Sequence, residues 1–229
     1  MVPAGAVDAP PKTLVTKPRI LRAGEVVFWH GSPLRSLYVV WTGWLKSGIG
    51  VPETEPLIGL HLPGDWLGLE SIHSGFHVRS AVALETSEVC AVPFTTLNAE
   101  SERDPALQRW LCRLLSREML RSRAQFALCS GGTVRQRLAG FLLALSQRFQ
   151  ALGYDPSEFP LPLTLAEIGS YLGLVQETVC RSFAAFRRRG WVTVDRRRVR
   201  IDDPHALVRP LALGPETQAT REPGAKRRA

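Results

Sequence analysis

The stretch that decides the fold is LTLAEIGSYLGLVQETVCRSFAAFRRRGWVTVDRRRVRIDD, residues 163–203. Thr164 and Glu167 have the spacing of a capping box, which predicts that a helix begins there. Gly173 marks a tight turn into a second helix, and Gly190 ends that helix. Alternating Val and Ile residues around an arginine turn then predict a β-hairpin. Two helices joined by a tight turn and followed by a hairpin form a winged helix-turn-helix.

The second helix of such a motif enters the major groove of DNA by its N-terminal end. Glu177 and Arg181 are four residues apart, so both side chains project from one face. Arginine offers a fork to guanine, and glutamate accepts a hydrogen bond from cytosine. The alternative is a plain surface ion pair, worth about 0.3–0.5 kcal/mol. We predict that Gln176, Glu177, Cys180 and Arg181 contact bases.

A second set of side chains fits contacts with the DNA backbone. Cations suit the C-terminal end of a helix, and they crowd the tip of the predicted hairpin. Such groups neutralise phosphates and give salt-sensitive affinity without sequence choice. The predicted backbone-contacting residues are Thr178, Arg187, Arg188, Arg196, Arg197 and Arg198.

The net charge of +8 is concentrated in the second half of the chain. Residues 133–229 contain 16 Lys and Arg against 9 Asp and Glu. This excess suggests a polyanionic partner, most simply nucleic acid. A solvated basic tail is the alternative, since REPGAKRRA (residues 221–229) supplies +3, but the segment without it is still basic.

Residues 20–95 indicate a β domain. Short β-branched and aromatic runs (VVFWH, LYVVW, WLKSG, LIGLH, RSAVAL, EVCAVPF) are separated by Gly or Pro, which predicts a sandwich or barrel, here a small jelly roll.

Residues 105–129 predict one long helix with two apolar stripes. Leu107, Leu111, Leu114 and Glu118 mark the first stripe. The second stripe, which we call the seam, has the spacing of coiled-coil positions and ends at Cys129. The seam residues are Cys112, Leu115, Met119, Ser122 and Phe126. Two stripes imply two partners, the β domain and a second copy of the chain, although a monomeric helical core would give the same pattern.

The predicted fold class is α+β, with five segments along the chain. Residues 1–19 are a disordered or truncated N-terminus, and residues 20–103 are a small jelly roll. Residues 104–130 are a dimerisation helix. Residues 131–209 are the winged helix-turn-helix domain, and residues 210–229 are a flexible tail.

Several classes of protein are not expected. No apolar run reaches the ~18–20 residues that span a bilayer, and no signal peptide begins the chain, so a cytosolic location follows by default. The four cysteines include no CxxC pair, and no zinc signature is present. No convergent set of nucleophile, base and metal ligands suggests an enzyme.

Four longer stretches resemble the Crp/Fnr family of bacterial transcription regulators, and most closely its oxygen-responsive Fnr branch. They are SPLRSLYVVWTGWLKS, GLHLPGDWLGLESIHSG, ALETSEVCAVPF and EIGSYLGLVQETVCRSF, and the resemblance covers about residues 17–209. It implies that the jelly roll of residues 20–103 is cyclic-nucleotide-binding-like. It also implies a homodimer that reads a TTGAT-N4-ATCAA-like palindrome in anaerobic, redox or respiratory gene control. It also implies that the loop Ile72–His77 contacts RNA polymerase.

The first departure from the family is Cys180, because the family places a serine one residue before the reading arginine. A thiol is a weaker hydrogen-bonding group than a hydroxyl, yet it still packs against a thymine methyl. An exposed thiol on a basic face could also be oxidised, which would switch DNA binding off. A tolerated small residue is the alternative.

The second departure concerns the iron–sulfur cluster of oxygen-sensing members, which uses three N-terminal cysteines and one in the β domain. Cys90 matches the internal ligand, but residues 1–22 contain no cysteine. A cluster needs four thiolates in most cases, so we expect no metal or cofactor in this chain. Either the cluster was lost or the true start lies upstream.

The third departure concerns cyclic nucleotides. Binders in the family place a glutamate after a glycine, and Arg-Ser eleven residues past that glycine. Here Leu69 follows Gly68, whereas Arg79 and Ser80 have the expected spacing and Glu70 lies nearby. The alternative function is therefore a sensor of a small anion or cyclic nucleotide that uses Gly68–Ser80. Otherwise Arg79 pairs with a surface carboxylate.

Overall fold

The computed structural model describes residues 14–49 and 56–212, except for the side chains of residues 209–212. Eight strands lie in the first half of the described chain. They are β1 (Arg19–Leu21), β2 (Val26–Phe28), β3 (Ser36–Thr42), β4 (Leu45–Gly48), β5 (Leu57–His61), β6 (Trp66–Leu67), β7 (Ser80–Ala83) and β8 (Ser87–Pro93). They form two antiparallel sheets, in the orders β1-β8-β3-β6 and β2-β7-β4-β5. Side chains from both sheets, including Val40, Leu45 and Val89, share one core, which confirms the predicted β domain.

Two helices follow the sheets, α1 (Phe94–Arg103) and α2 (Pro105–Ser130). The Asp104 side chain caps α2 by accepting a hydrogen bond from the Ala106 N–H at 2.8 Å. The first apolar stripe packs on the β domain as predicted, with Leu107 and Leu114 in one apolar cluster with strand residues. Burial of this stripe fixes α2 along the β domain.

The seam of α2 lies on the other side of the helix and is largely exposed in the single chain. Met119 is 60% exposed and Phe126 is 73% exposed, whereas Leu115 is half-buried. Apolar side chains with this much accessible surface do not belong to a monomeric core. A monomeric helical core, the alternative explanation of this stripe, is therefore wrong for Met119 and Phe126.

The second half of the described chain forms the C-terminal domain. Its elements are α3 (Val134–Ala151), β9 (Glu158–Pro160), α4 (Leu165–Leu172), α5 (Gln176–Arg188), β10 (Val192–Asp195), β11 (Arg198–Ile201) and α6 (Pro204–Ala212). A three-stranded sheet in the order β10-β11-β9 packs beside the helices, and Phe141, Phe159 and Phe186 are fully buried in their common core. This arrangement is the predicted winged helix-turn-helix.

The ordered structure extends further at both ends than the sequence indicates. Leu14 is 6% exposed, and the Thr16 N–H donates to the Ala91 carbonyl at 2.9 Å, so residues 14–19 are not disordered. Residues 210–212, predicted as part of the tail, complete α6. The rest of the predicted N-terminal segment and tail, residues 1–13 and 213–229, lies outside the described residues. Among the described helices, none combines the length and apolar composition needed to cross a bilayer.

Candidate nucleic-acid interface

The turn between α4 and α5 depends on two glycines. Gly173 ends α4 with a left-handed backbone, φ 64° and ψ 40°, which glycine adopts without steric cost. The Leu174 N–H then donates to the Gly169 carbonyl at 2.8 Å. A Cβ on Gly169 would lie 2.5 Å from the Leu174 carbonyl oxygen, so no larger residue fits there without a backbone shift. The two glycines hold α5 at a fixed angle to α4.

Helix α5 has one buried face and one exposed face. Val179 and Phe186 are 0% exposed, and Phe183 is 7% exposed. The Ser182 hydroxyl, on the same side, donates to the Thr178 carbonyl at 2.9 Å. The opposite face is solvent-exposed and contains the four predicted base-contacting residues, Gln176, Glu177, Cys180 and Arg181.

Glu177 and Arg181 form an ion pair across one turn of the exposed face. Their atoms Oε1 and Nη1 are 3.6 Å apart, and the two side chains are 77% and 69% exposed. A pair of this kind is worth about 0–1 kcal/mol because water solvates both charges. Either side chain can therefore leave the other for a base edge at little energetic cost.

The predicted hairpin is the β10–β11 ladder, in which Asp195 pairs with Arg198 and leaves Arg196 and Arg197 in the turn. Arg196 has φ 49°, a left-handed backbone that costs a non-glycine residue about 1–3 kcal/mol. Glycine or asparagine would relieve this strain. Arginine at this position therefore lowers the stability of the folded chain but places a cation at the tip of the hairpin. The position suits contact with a phosphate.

The other predicted backbone-contacting residues differ in their surroundings. Arg187 and Arg188 are exposed in the last turn of α5, and Thr178 is half-buried in its first turn. Arg198 is already engaged, because its Nε lies 2.7 Å from Glu158 Oε1. Arg198 must therefore give up or share this ion pair to contact DNA.

A cleft of about 380 Å³ separates α5 from the hairpin. Its walls include Phe183 and Val199, and its rim includes Arg187 and Arg197. Cys180 also lines the cleft, so the thiol lies between the two elements predicted to contact DNA. A bulky group on this sulfur would occupy the space between them. The sequence alone gives no sign of this cleft.

The described residues do not fit an iron–sulfur cluster. Cys90 is 1% exposed in β8, and burial raises the pKa of its thiol. Cys112 and Cys180 are exposed on separate helices, and the Cys129 thiol donates to the Tyr171 carbonyl at 3.0 Å. Within the described ranges, no group of three or more His, Cys, Asp or Glu residues is placed to hold a metal ion.

The residues of the candidate anion pocket differ in their surroundings. Leu69 is 4% exposed and packs with core residues, and Glu70 points to solvent. A Cβ on Gly68 would lie 3.2 Å from the imidazole of His77. The buried Ser80 hydroxyl accepts a hydrogen bond from the backbone N–H of His30 at 3.1 Å.

Arg79, the remaining predicted pocket residue, is half-buried, and its pairing with a surface carboxylate stays a prediction.

Comparison with known proteins agrees with this arrangement. Residues 18–104 match the cyclic nucleotide-binding domain, and residues 136–209 match the Crp-like helix-turn-helix domain. The structure of FixK2 from Bradyrhizobium japonicum superposes with a TM-score of 0.76 at 26% identity, covering 86% of this chain and 96% of that one.

Two relatives are similar over most of their length. The transcriptional regulatory protein btr of Bordetella pertussis is 40% identical over 203 residues, 88% of this chain and 84% of that protein. The fumarate and nitrate reduction regulatory protein of Escherichia coli is 37% identical over 196 residues, 85% of this chain and 78% of that protein. The two domain matches and the two relatives agree. The chain therefore belongs to the Crp/Fnr family of DNA-binding transcription regulators.

Proposed function

We propose that the protein acts as a homodimer on a TTGAT-N4-ATCAA-like palindrome and reads each half-site through α5. The observation that carries this proposal is the exposed face of α5, where Glu177 and Arg181 are joined only by a solvated ion pair. Arg181 would contact a guanine and Glu177 a cytosine, with Gln176 and Cys180 beside them.

The seam supports the dimer. A two-fold palindrome requires two reading helices related by two-fold symmetry. Met119 and Phe126 would be buried if a second copy of α2 packed in parallel, which would remove their exposed apolar surface from water. Ser122, which has no charge to repel its symmetry mate, would lie between them.

We further propose that binding needs neither an iron–sulfur cluster nor a cyclic nucleotide. The four thiols are spread over three elements, and Leu69 is buried where a nucleotide binder of the family has a glutamate. The protein would then act in the cytoplasm as a regulator without enzymatic activity. Control would lie in its abundance or in Cys180.

The gene context and the polymerase contact are also proposals. Relatives include the fumarate and nitrate reduction regulatory protein and the transcriptional activator protein anr of Pseudomonas aeruginosa, 39% identical over 191 residues, 83% of this chain and 78% of that protein. The name of the first supports control of anaerobic or respiratory genes, and the name of the second supports an activating role. The loop Ile72–His77 exposes Phe76 (53%), which would offer RNA polymerase an apolar contact.

Selection from random duplexes tests the proposed site without assuming its sequence. Purified protein in air should enrich two inverted half-sites separated by four base pairs. The Arg181→Gln variant should lose enrichment of one G·C pair in each half-site, while the exposed control variant Arg103→Gln, on α1, should select the wild-type site. Enrichment of single, unpaired half-sites by the wild type would refute the dimeric reading.

A further inference from the structure

A partly buried ionic junction connects the β domain, α2 and the C-terminal domain. Asp65 lies in the loop between β5 and β6, and its carboxylate forms ion pairs with Arg121 of α2 and Arg148 of α3. The Asp65 side chain is 14% exposed, and its Oδ2 also accepts a hydrogen bond from the Leu62 N–H at 2.7 Å. One carboxylate therefore holds two guanidinium groups from two different parts of the chain.

Two further polar side chains contact the Arg121 guanidinium. Its Nε lies 3.4 Å from Glu118 Oε2, and its Nη2 lies 3.4 Å from His61 Nδ1. The other ring nitrogen of His61 is 2.9 Å from the Ser47 hydroxyl. Burial lowers the pKa of His61 to about 3, with Arg121 acting in the same direction, so the ring is neutral and can accept from the guanidinium.

The same side of the β domain also contacts the helix-turn-helix directly. Lys46 Nζ on β4 lies 2.7 Å from Glu167 Oε1 on α4. The Leu57 N–H on β5 donates to the Ser170 hydroxyl at 2.8 Å, and Arg148 donates to the Leu60 carbonyl at 3.3 Å. Polar contacts thus link the β domain to both α3 and α4.

These contacts determine where α5 lies relative to the seam. The seam is on α2, and α5 is held to α4 by the glycine turn. In a symmetric dimer, the two α5 helices must enter the major groove about 34 Å apart, one turn of the duplex. A small rotation of the C-terminal domain about α2 would change this separation in both subunits at once.

We propose that Asp65 is a positioning residue for DNA binding, which sets the separation and direction of the two reading helices through Arg121 and Arg148. This inference rests on the dimer proposed above. An ion pair is suited to the task because its hydrogen bonds are directional, whereas apolar contacts allow sliding. Removing the central charge leaves two guanidinium groups without their partner, and the arrangement then relaxes.

The test uses the full chain and three fluorescent duplexes. The first has both half-sites at the four-base-pair spacing, the second has the same half-sites six base pairs apart, and the third has one half-site. The variant is Asp65→Asn, which keeps an acceptor for the Leu62 N–H. The matched control is Glu25→Gln, because Glu25 accepts from the Arg22 N–H within the β domain and does not contact another domain.

The expected result is a loss of affinity confined to the correctly spaced duplex. Asp65→Asn should bind it about tenfold more weakly, a normal size for coupling between domains. Its affinity for the single half-site should stay within about twofold of wild type, as for independent sites. Arg148→Gln should show the same pattern, and the double variant should lose little more. Glu25→Gln should match wild type on all three duplexes.

Three results would overturn the inference. If Asp65→Asn binds the correctly spaced duplex with wild-type affinity, Asp65 has no positioning role. If it loses equal affinity for this duplex and for the single half-site, the substitution has damaged the helix-turn-helix itself. If wild type does not prefer the first duplex to the third, the proposed dimer fails, and the positioning role fails with it. Should Asp65→Asn not fold, Arg148→Gln, which removes one of the two ion pairs of Asp65, takes its place with the same three outcomes.

Discussion

Replacing Phe126 by alanine should weaken the dimer and leave the folded subunit intact. Phe126 is 73% exposed in the single chain, so little of its side chain contributes to the core of the subunit. Burying a full phenylalanine side chain is worth about 1.5–3 kcal/mol. Scaled by the exposed fraction of 73%, Phe126→Ala should cost about 1.1–2.2 kcal/mol per subunit at the interface, and symmetry doubles this cost.

The dissociation constant of the dimer should therefore rise by about 1.5 to 3 orders of magnitude. Sedimentation equilibrium over a range of concentrations measures it, and the thermal unfolding of a fully dissociated sample provides the check on the subunit. Leu120→Ala is the matched control, because Leu120 is 65% exposed on the same helix but is not one of the seam residues. An unchanged dissociation constant for Phe126→Ala, or an equal loss for Leu120→Ala, would refute the seam as the interface.

Three further predictions concern the reading helix, the hairpin and the buried histidine. Arg181→Gln should cost about 1–3 kcal/mol of binding per half-site but almost no thermal stability, measured by anisotropy and calorimetry. Arg196→Gly should raise the melting temperature by relieving the left-handed backbone, while the slope of log affinity against log salt falls by about one per subunit. Because the pKa of His61 is lowered from 6.5 to about 3, the unfolded chain binds a proton that the folded chain does not. Stability should therefore fall as pH drops through this window, and His61→Gln should flatten the dependence seen in urea unfolding.

Most of the fold could be predicted because its signals are local. The capping box at Thr164 and the glycine turn at Gly173 each depend on residues within a few positions of one another, and the structure has both. The two stripes of α2 follow from helical periodicity in the same way. In contrast, the helices α1 and α6 and the short strands β1, β6 and β9 were not predicted. Each of these strands is too short for a pattern of its own and is defined by pairing with a distant strand.

The ionic junction shows why the rest could not be predicted. Asp65 and Arg148 are 83 residues apart, and Lys46 and Glu167 are 121 residues apart. Ordinary charged residues at such separations give no periodic signal, and only the fold brings them together. The same holds for Cys180, whose place on the cleft beside the hairpin depends on how α5 and the β10–β11 ladder pack.

The family resemblance contributed what the residues alone could not, namely the half-site sequence and the cluster and nucleotide signatures against which this chain can be compared. The residues in turn showed where the resemblance stops. Leu69 is in the core where a binder of cyclic nucleotides has a glutamate, and Cys90 is buried away from the other three thiols.

The central claim is that the chain, in air and without added cofactor, is a DNA-reading dimer. The most direct test is the fluorescence anisotropy of a TTGAT-N4-ATCAA duplex against a scrambled duplex at near-physiological salt, combined with the stoichiometry at saturation. We expect selective binding by at least about a thousandfold, with two chains per duplex. Equal, weak binding to both duplexes, or one chain per duplex, would contradict the claim.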